Sequence, residues 1–339
     1  MGSRQIGIVW DINKCMGCQT CTVACKMVWT NGQGMDHMWW MKTNTVPGKG
    51  SPKDWESMGG GYDKNEKLSP GKLPTLQEFG EAWQFNHEEV FYGGNPEAYL
   101  KATPRPTWGP NWEEDLGAGD YPNSYFFYLP RMCNACSRPS CVEACPVKGA
   151  IYKREEDGIV LIDEATCEGA KCVQECSRAC PYKVIYRNTA KPLSQMCNMC
   201  LVRLEKGVAP ACVRLCPGRA GSISYLDDTK GRVHKLVNEW KVALPLHPEF
   251  GTTPNVYYVP PLSPPKIDRN GDLEEDHPRI PIEYLRSLFG AGVDAALETL
   301  KWEREKQHRE GKPELMDILI ARRWQELVGD FTKDPAEVH

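Results

Sequence analysis

Sixteen cysteines crowd into two windows of this 339-residue chain, and that crowding limits the fold more than any other feature. Four lie between Cys15 and Cys25, and the other twelve lie between Cys133 and Cys216. The long stretches 26–132 and 217–339 contain none. Structural disulfides would be expected to tie such stretches down, whereas metal sites draw their ligands from short windows. The cysteines divide into four quartets with no remainder. The first is Cys15, Cys18, Cys21 and Cys25, and the second is Cys133, Cys136, Cys141 and Cys145. The third is Cys167, Cys172, Cys176 and Cys180, and the fourth is Cys197, Cys200, Cys212 and Cys216. The last three end in Cys-Pro, while Lys26 follows the first.

The first quartet, in CMGCQTCTVAC, has the spacing of a bacterial ferredoxin run, with Lys26 where proline usually stands. A Cys-x2-Cys loop can aim two thiolates at one iron–sulfur cubane while its amides face the sulfides. The Cys-x3-Cys-Pro step is expected to start a short helix, because the first helical turn has no use for the missing proline N–H. In two-cluster ferredoxins the fourth cysteine of a run ligates the other cluster, so quartets are read in pairs. Chain order pairs the first quartet with the fourth and nests the second and third between them. Cluster 1 then takes Cys15, Cys18, Cys21 and Cys216, and cluster 2 takes Cys25, Cys197, Cys200 and Cys212. Cluster 3 takes Cys133, Cys136, Cys141 and Cys180, and cluster 4 takes Cys145, Cys167, Cys172 and Cys176. Zinc modules also use Cys-x2-Cys pairs, but not compact three-cysteine runs or Cys-x3-Cys-Pro endings. Disulfides fit worse still, since cysteines two residues apart bridge each other with poor geometry.

Lys and Arg number 41 against 45 Asp and Glu, a net charge of -4, so the chain lacks the basic excess that nucleic acid demands. The longest apolar runs, such as Tyr125 to Leu129, fall far short of the ~20 residues of a membrane-spanning helix, and no direct membrane span is expected. The start MGSRQIGIVWDINKC holds only a short apolar run, Ile6 to Trp10, with no secretory signal and no twin-arginine motif. DRNGDLEED at 268–276 lacks the glycine of a calcium loop, and Gly59 to Gly61 lacks a dinucleotide fingerprint. The seven histidines are scattered, and no nucleophile, base and orienter pattern is legible, so no catalytic residue is assigned.

The fold class expected is α+β: two ferredoxin-like two-cluster units with a long irregular insertion and a C-terminal helical extension. Residues 1–30 and 181–230 form the outer unit and 131–180 the inner one. Within the inner unit, Gly149 to Lys153 and Ile159 to Ile162 flank a polar turn and predict a hairpin. Gln5 to Trp10 and Ser222 to Tyr225 predict strands of the outer unit. The insertion, 31–130, is rich in Gly and Pro, but most of the 11 tryptophans fall in or beside it, which favours an ordered wrap over disorder. Leu76 to Trp83 and Glu88 to Tyr92 are its candidate helices. In the extension, 231–339, PNVYYVPPLSPPK reads as polyproline II. Ile282 to Phe289, Val293 to Arg309 and Leu315 to Val328 then read as three amphipathic helices, suited to docking on another subunit or to closing the chain's own core.

With these motifs assembled, the chain resembles the iron–sulfur β subunits of nitrate-reductase-like molybdoenzymes in the dimethyl sulfoxide reductase family. The resemblance is carried by DINKCMGCQTCTVACK, MGGGY, RMCNACSRPSCVEACPVKGAIYKREEDGIVLID, CPYKVIY, VYYVPPLSPP and IPIEYLRSLFG. Relatives of this type serve nitrate, selenate, chlorate and perchlorate reductases and dimethyl sulfide and ethylbenzene dehydrogenases. The resemblance implies an electron-transfer subunit whose four clusters link a molybdopterin catalytic α subunit to a haem b γ subunit or cytochrome. It also implies a periplasmic location by co-export with the α subunit, the alternative being the cytoplasmic face of the membrane.

One departure stands out. Relatives usually place a non-ligand in the third motif, and the resulting cluster is [3Fe–4S]. Here EGAKCVQE separates Cys167 from Cys176 with Cys172 inside it, so four thiolates are available. Three [4Fe–4S] clusters are therefore expected, plus a fourth that is [4Fe–4S] if Cys172 faces it and [3Fe–4S] if it does not. Lys26, Lys183 and Arg187 lie beside ligands, as tuning charges or as solvated ones. Rival readings are the iron–sulfur subunit of a formate dehydrogenase or hydrogenase, a free polyferredoxin and a zinc scaffold.

Overall fold

The first strand, Ile6–Asp11, is buried along its whole length, and a strand covered on both faces reads as a near-continuous apolar run. It lies at the centre of a four-stranded sheet in a computed structural model that describes residues 4–80, 86–101, 117–169, 172–311 and 313–338. Gly221–Tyr225 pairs with it antiparallel on one side, and Val256–Val259 pairs with it parallel on the other. Leu244–Pro245 completes the sheet. Trp10 fixes one of these contacts: a Cβ on its partner Gly221 would stand 2.6 Å from the indole ring, so only glycine fits there.

The other sheets are two-stranded. Lys42–Val46 pairs with Phe127–Arg131, bringing the two ends of the insertion together. Ile151–Lys153 pairs with Val160–Ile162, the expected hairpin, and Ile185–Arg187 pairs with Ser194–Met196. Short helices fill the spaces between them, so the chain mixes helices with small sheets.

The central sheet separates two apolar regions. Ile6, Ile8, Trp10, Val256 and Tyr258 belong to a core that includes cysteines from every quartet. Val9 and Val259 face the opposite way and join Leu300, Leu315 and Leu319 from the C-terminal helices. The buried faces of Val293–Glu310 and Glu314–Ile320 thus pack on the chain's own sheet.

Several local expectations change. VYYV is a strand and not polyproline II, because the edge of Ile6–Asp11 offers it a row of hydrogen-bonding partners. The third amphipathic stretch is not one helix: Ala321 takes a left-handed φ of 39°, ending Glu314–Ile320 before a separate 3-10 turn, Trp324–Leu327. The first insertion helix is shorter than read, Leu76–Phe79, closed by Gly80; Trp83 lies outside the described residues. The second, His87–Tyr92, matches the reading.

Candidate metal centres

The local backbone explains how the cysteines are aimed. In three of the four Cys-x2-Cys loops the residue just before the second cysteine is left-handed: Gly17 (φ 66°), Ala135 (φ 43°) and Met199 (φ 54°); in the fourth, Cys18 to Cys21, it is Gln19 (φ 58°), one residue earlier. Alternating right- and left-handed residues turn successive N–H groups toward one side, a concavity suited to anionic sulfur. Gly17 also has no room for a side chain, since a Cβ would stand 2.5 Å from the ring of Tyr128.

The Cys-x3-Cys-Pro step corrects the expectation that it starts a helix. Cys141, Cys176 and Cys212 lie inside the short helices Ser140–Glu143, Glu175–Ala179 and Ala211–Arg214. The next cysteine of each run falls just past the helix end, and the proline after it prevents continuation by disfavouring helical geometry in the residue before it. The prolines are therefore stops. Where Lys26 replaces proline, the helix Thr20–Trp29 runs on for another turn.

These elements bring the cysteines together across the quartets. Cys15, Cys18, Cys21 and Cys216 line one pocket, beside Trp10 and Thr43. Cys133, Cys136, Cys141 and Cys180 line another, beside Tyr182 and Thr252. Cys25, Cys197, Cys200 and Cys212 lie within electrostatic reach of one another. Cys176 lies within such reach of Cys145, Cys167 and Cys172.

Burial pushes the thiols of Cys15, Cys25, Cys133 and Cys176 up to about 12 from an ordinary value of 9.0. Burial raises those of Cys21, Cys141, Cys197, Cys200 and Cys212 as well. Such thiols stay protonated and unreactive until a cation compensates the thiolate, the behaviour of metal ligands and not of nucleophiles. Among the described residues, no three His, Cys, Asp or Glu side chains are arranged to hold a single metal ion. In the two cysteine-lined pockets the thiols surround a space, which fits a polynuclear cluster better than a lone zinc.

Polar groups outside the quartets face the sulfurs, and sequence spacing missed them. Thr43 Oγ1 lies 3.4 Å from Cys21 Sγ, and the Thr252 hydroxyl is hydrogen-bonded to Cys136. Backbone amides of Ser194, Met199 and Ala220 donate to Cys167, Cys197 and Cys216. Trp29 Nε1 donates to Cys200 Sγ at 3.1 Å. Trp10, in the wall of the first pocket, keeps a buried indole N–H with no acceptor among the described residues, a donor that cluster sulfide would satisfy.

The charges beside ligands divide. Lys26 Nζ is half-buried and donates to the carbonyls of Met35, Asp36 and Met38, holding the insertion against its helix. Lys183 is fully buried and donates to the carbonyls of Lys72 and Arg178, so the solvated reading fails there. Arg187 is exposed.

A 4Fe-4S dicluster domain family matches residues 124–225. The chain is 49% identical over 327 residues to dimethylsulfide dehydrogenase subunit beta of Rhodovulum sulfidophilum, covering 96% of this chain and 99% of that one. It belongs to the iron–sulfur β-subunit family of nitrate-reductase-like molybdoenzymes. This β-subunit chain is also 52% identical to respiratory nitrate reductase subunit beta of Haloferax mediterranei, covering 93% of this chain and 90% of that one. It is 50% identical to selenate reductase subunit beta of Thauera selenatis, covering 94% and 97%. As a β subunit of this family it is a non-catalytic electron-transfer protein that carries iron–sulfur clusters. No helix among the described residues is long and apolar enough to cross a membrane.

Proposed function

We propose that the four cysteine groups hold four iron–sulfur clusters in single file, relaying electrons between a molybdopterin catalytic α subunit and a haem b subunit or other redox partner. The ligands are those given by pairing the quartets: Cys15, Cys18, Cys21 and Cys216; Cys25, Cys197, Cys200 and Cys212; Cys133, Cys136, Cys141 and Cys180; Cys145, Cys167, Cys172 and Cys176. The clusters supply one-electron redox chemistry with little rearrangement, at potentials set by charge, hydrogen bonds to sulfur and solvent exposure.

The order of the groups carries this reading. Cys212 lies within electrostatic reach of Cys21, which links the first group to the second. Cys197 lies within reach of Cys133, linking the second to the third, and Cys141 lies within reach of Cys176, linking the third to the fourth. The second group is buried at all four cysteines, whereas the first reaches the surface at Cys18 and the fourth is half-buried at Cys145, Cys167 and Cys172. The third group is buried at Cys133 and Cys180 and half-buried at Cys136 and Cys141. A fully buried second group and more accessible ends suit a relay with an entry and an exit.

Exposed apolar side chains stand at both ends: Met16, Val23, Met27 and Val28 near the first group, and Val173 beside Cys172. Such a patch on a chain of this family is suited to a partner subunit. The names of the relatives, each a beta subunit of a reductase or dehydrogenase, support a catalytic α partner. The two-unit division at 1–30 with 181–230 and at 131–180, and a periplasmic location by co-export with the α subunit, belong to the same proposal.

The test is iron analysis with EPR-monitored reduction of the anaerobically purified complex. Loss of one signal each from Cys18→Ala, Cys200→Ala, Cys136→Ala and Cys167→Ala would support the grouping. Loss of the same signal from Cys18→Ala and Cys200→Ala would break it.

A further inference from the structure

Lys26 and Trp29 together point to a feature that the ligand spacing does not contain. The other Cys-x3-Cys helices stop at Cys-Pro, but the helix Thr20–Trp29 continues past Cys25 because Lys26 allows it. That additional turn ends on Trp29, four residues beyond Cys25 and hence on the same face of the helix. Its indole Nε1 donates to Cys200 Sγ at 3.1 Å, across 171 residues of sequence. Trp29 stacks on Trp40 with ring centroids 6.1 Å apart and planes 23° apart, and Trp40 is itself buried. The stack fixes the plane in which the N–H points.

We propose that Trp29 is a positioning residue that sets the potential of the second cluster through its hydrogen bond to the Cys200 thiolate. The proposal rests on Cys200 being a ligand of that cluster. An indole N–H can only donate, so unlike a hydroxyl it cannot turn a lone pair toward the sulfur. Donation draws electron density from the thiolate. The cluster gains one electron on reduction and becomes more negative, so the donor stabilises the reduced form more than the oxidised form and raises the potential. This group also has four buried cysteines, and a hydrogen bond to charge counts for more where water is absent.

The experiment is an EPR-monitored redox titration of the complex carrying Trp29→Phe. A second sample carries benzothienylalanine at position 29, which keeps the shape and stacking of indole but lacks the N–H. Both are compared with wild type for iron per chain. The expected result is one midpoint potential shifted downward in both samples, the other three unmoved and the iron content unchanged. Unshifted potentials with full iron in the isosteric sample would overturn the proposal. So would loss of iron from that sample, which would make Trp29 a support for cluster binding and not a tuner. Cys200→Ala, run beside them, separates the two readings: if it abolishes one signal while the Trp29 samples leave every potential unmoved, the role of Trp29 fails alone, and if it abolishes no signal, the ligand assignment fails and the role of Trp29 with it.

Discussion

Cys172 lies within electrostatic reach of Cys176, in the segment where the family resemblance implies a non-ligand. The lengthened loop therefore does not carry Cys172 away from Cys145, Cys167 and Cys176. Four thiols at that end match the proposal that the fourth cluster is [4Fe–4S]. Cys172→Ala should convert it to [3Fe–4S], with a loss of about one iron per chain and a new EPR signal in the oxidised protein. An unchanged iron count and spectrum would make Cys172 a bystander.

His247 connects the insertion to the C-terminal extension and should give stability a pH dependence. Its imidazole Nδ1 lies 2.7 Å from Glu249 Oε1, and its Nε2 lies 3.3 Å from Glu56 Oε1. Burial by itself would lower its pKa below 6.5, but hydrogen bonds and attraction from Glu249 and Glu56 leave it raised. With the folded value above the unfolded one, the folded state binds more protons through that window. The stabilisation is complete below about pH 6.5 and is lost as pH rises through the folded value. Thermal midpoints measured at fixed scan rate should fall over that range in wild type and fall less in His247→Gln. Parallel curves would contradict this.

Arg131 should be among the most costly residues to remove outside the quartets. It is buried, donates to Asn44 Oδ1 at 3.0 Å and to the carbonyls of Ser51 and Tyr182 at 3.2 and 2.7 Å, and lies 3.5 Å over the Trp55 ring. Arg131→Met leaves those acceptors buried without their donor and should cost on the order of 3 kcal/mol. The predicted readout is a lower thermal midpoint and a lower yield of cluster-loaded protein, with no change in the EPR line shapes of what remains.

Which cysteines lie near one another was legible in the sequence, because each grouping draws on local spacing and the swap between runs follows from ferredoxin topology. The hairpin at Ile151–Lys153 and Val160–Ile162 was legible for the same reason, since its partners are close in the chain. The pairing of Lys42–Val46 with Phe127–Arg131 was not, because no local signal links segments separated by the whole insertion. Val256–Val259 was misread because the prolines that follow it dominate local preference, while the strand it joins lies at the other end of the chain. Trp29 could have been found: a helix allowed past Cys25 by Lys26 must place residue 29 over the same site as residue 25.

The exposed face of the helix Thr20–Trp29 gives a test of docking. Val23, Met27 and Val28 project from it beside the first cysteine group. Met27→Glu should reduce co-purification of the subunit docked at this end by about tenfold or more, the scale of one lost apolar anchor with a charge in its place. Iron per β chain should not change.

The most direct measurement is iron per β chain by metal analysis, combined with EPR of the anaerobically purified complex before and after dithionite reduction. A four-cluster relay would give about sixteen irons in this chain, four distinct reduced clusters and no [3Fe–4S] signal on oxidation. Zinc in place of iron, or about eight irons, would contradict a four-cluster relay.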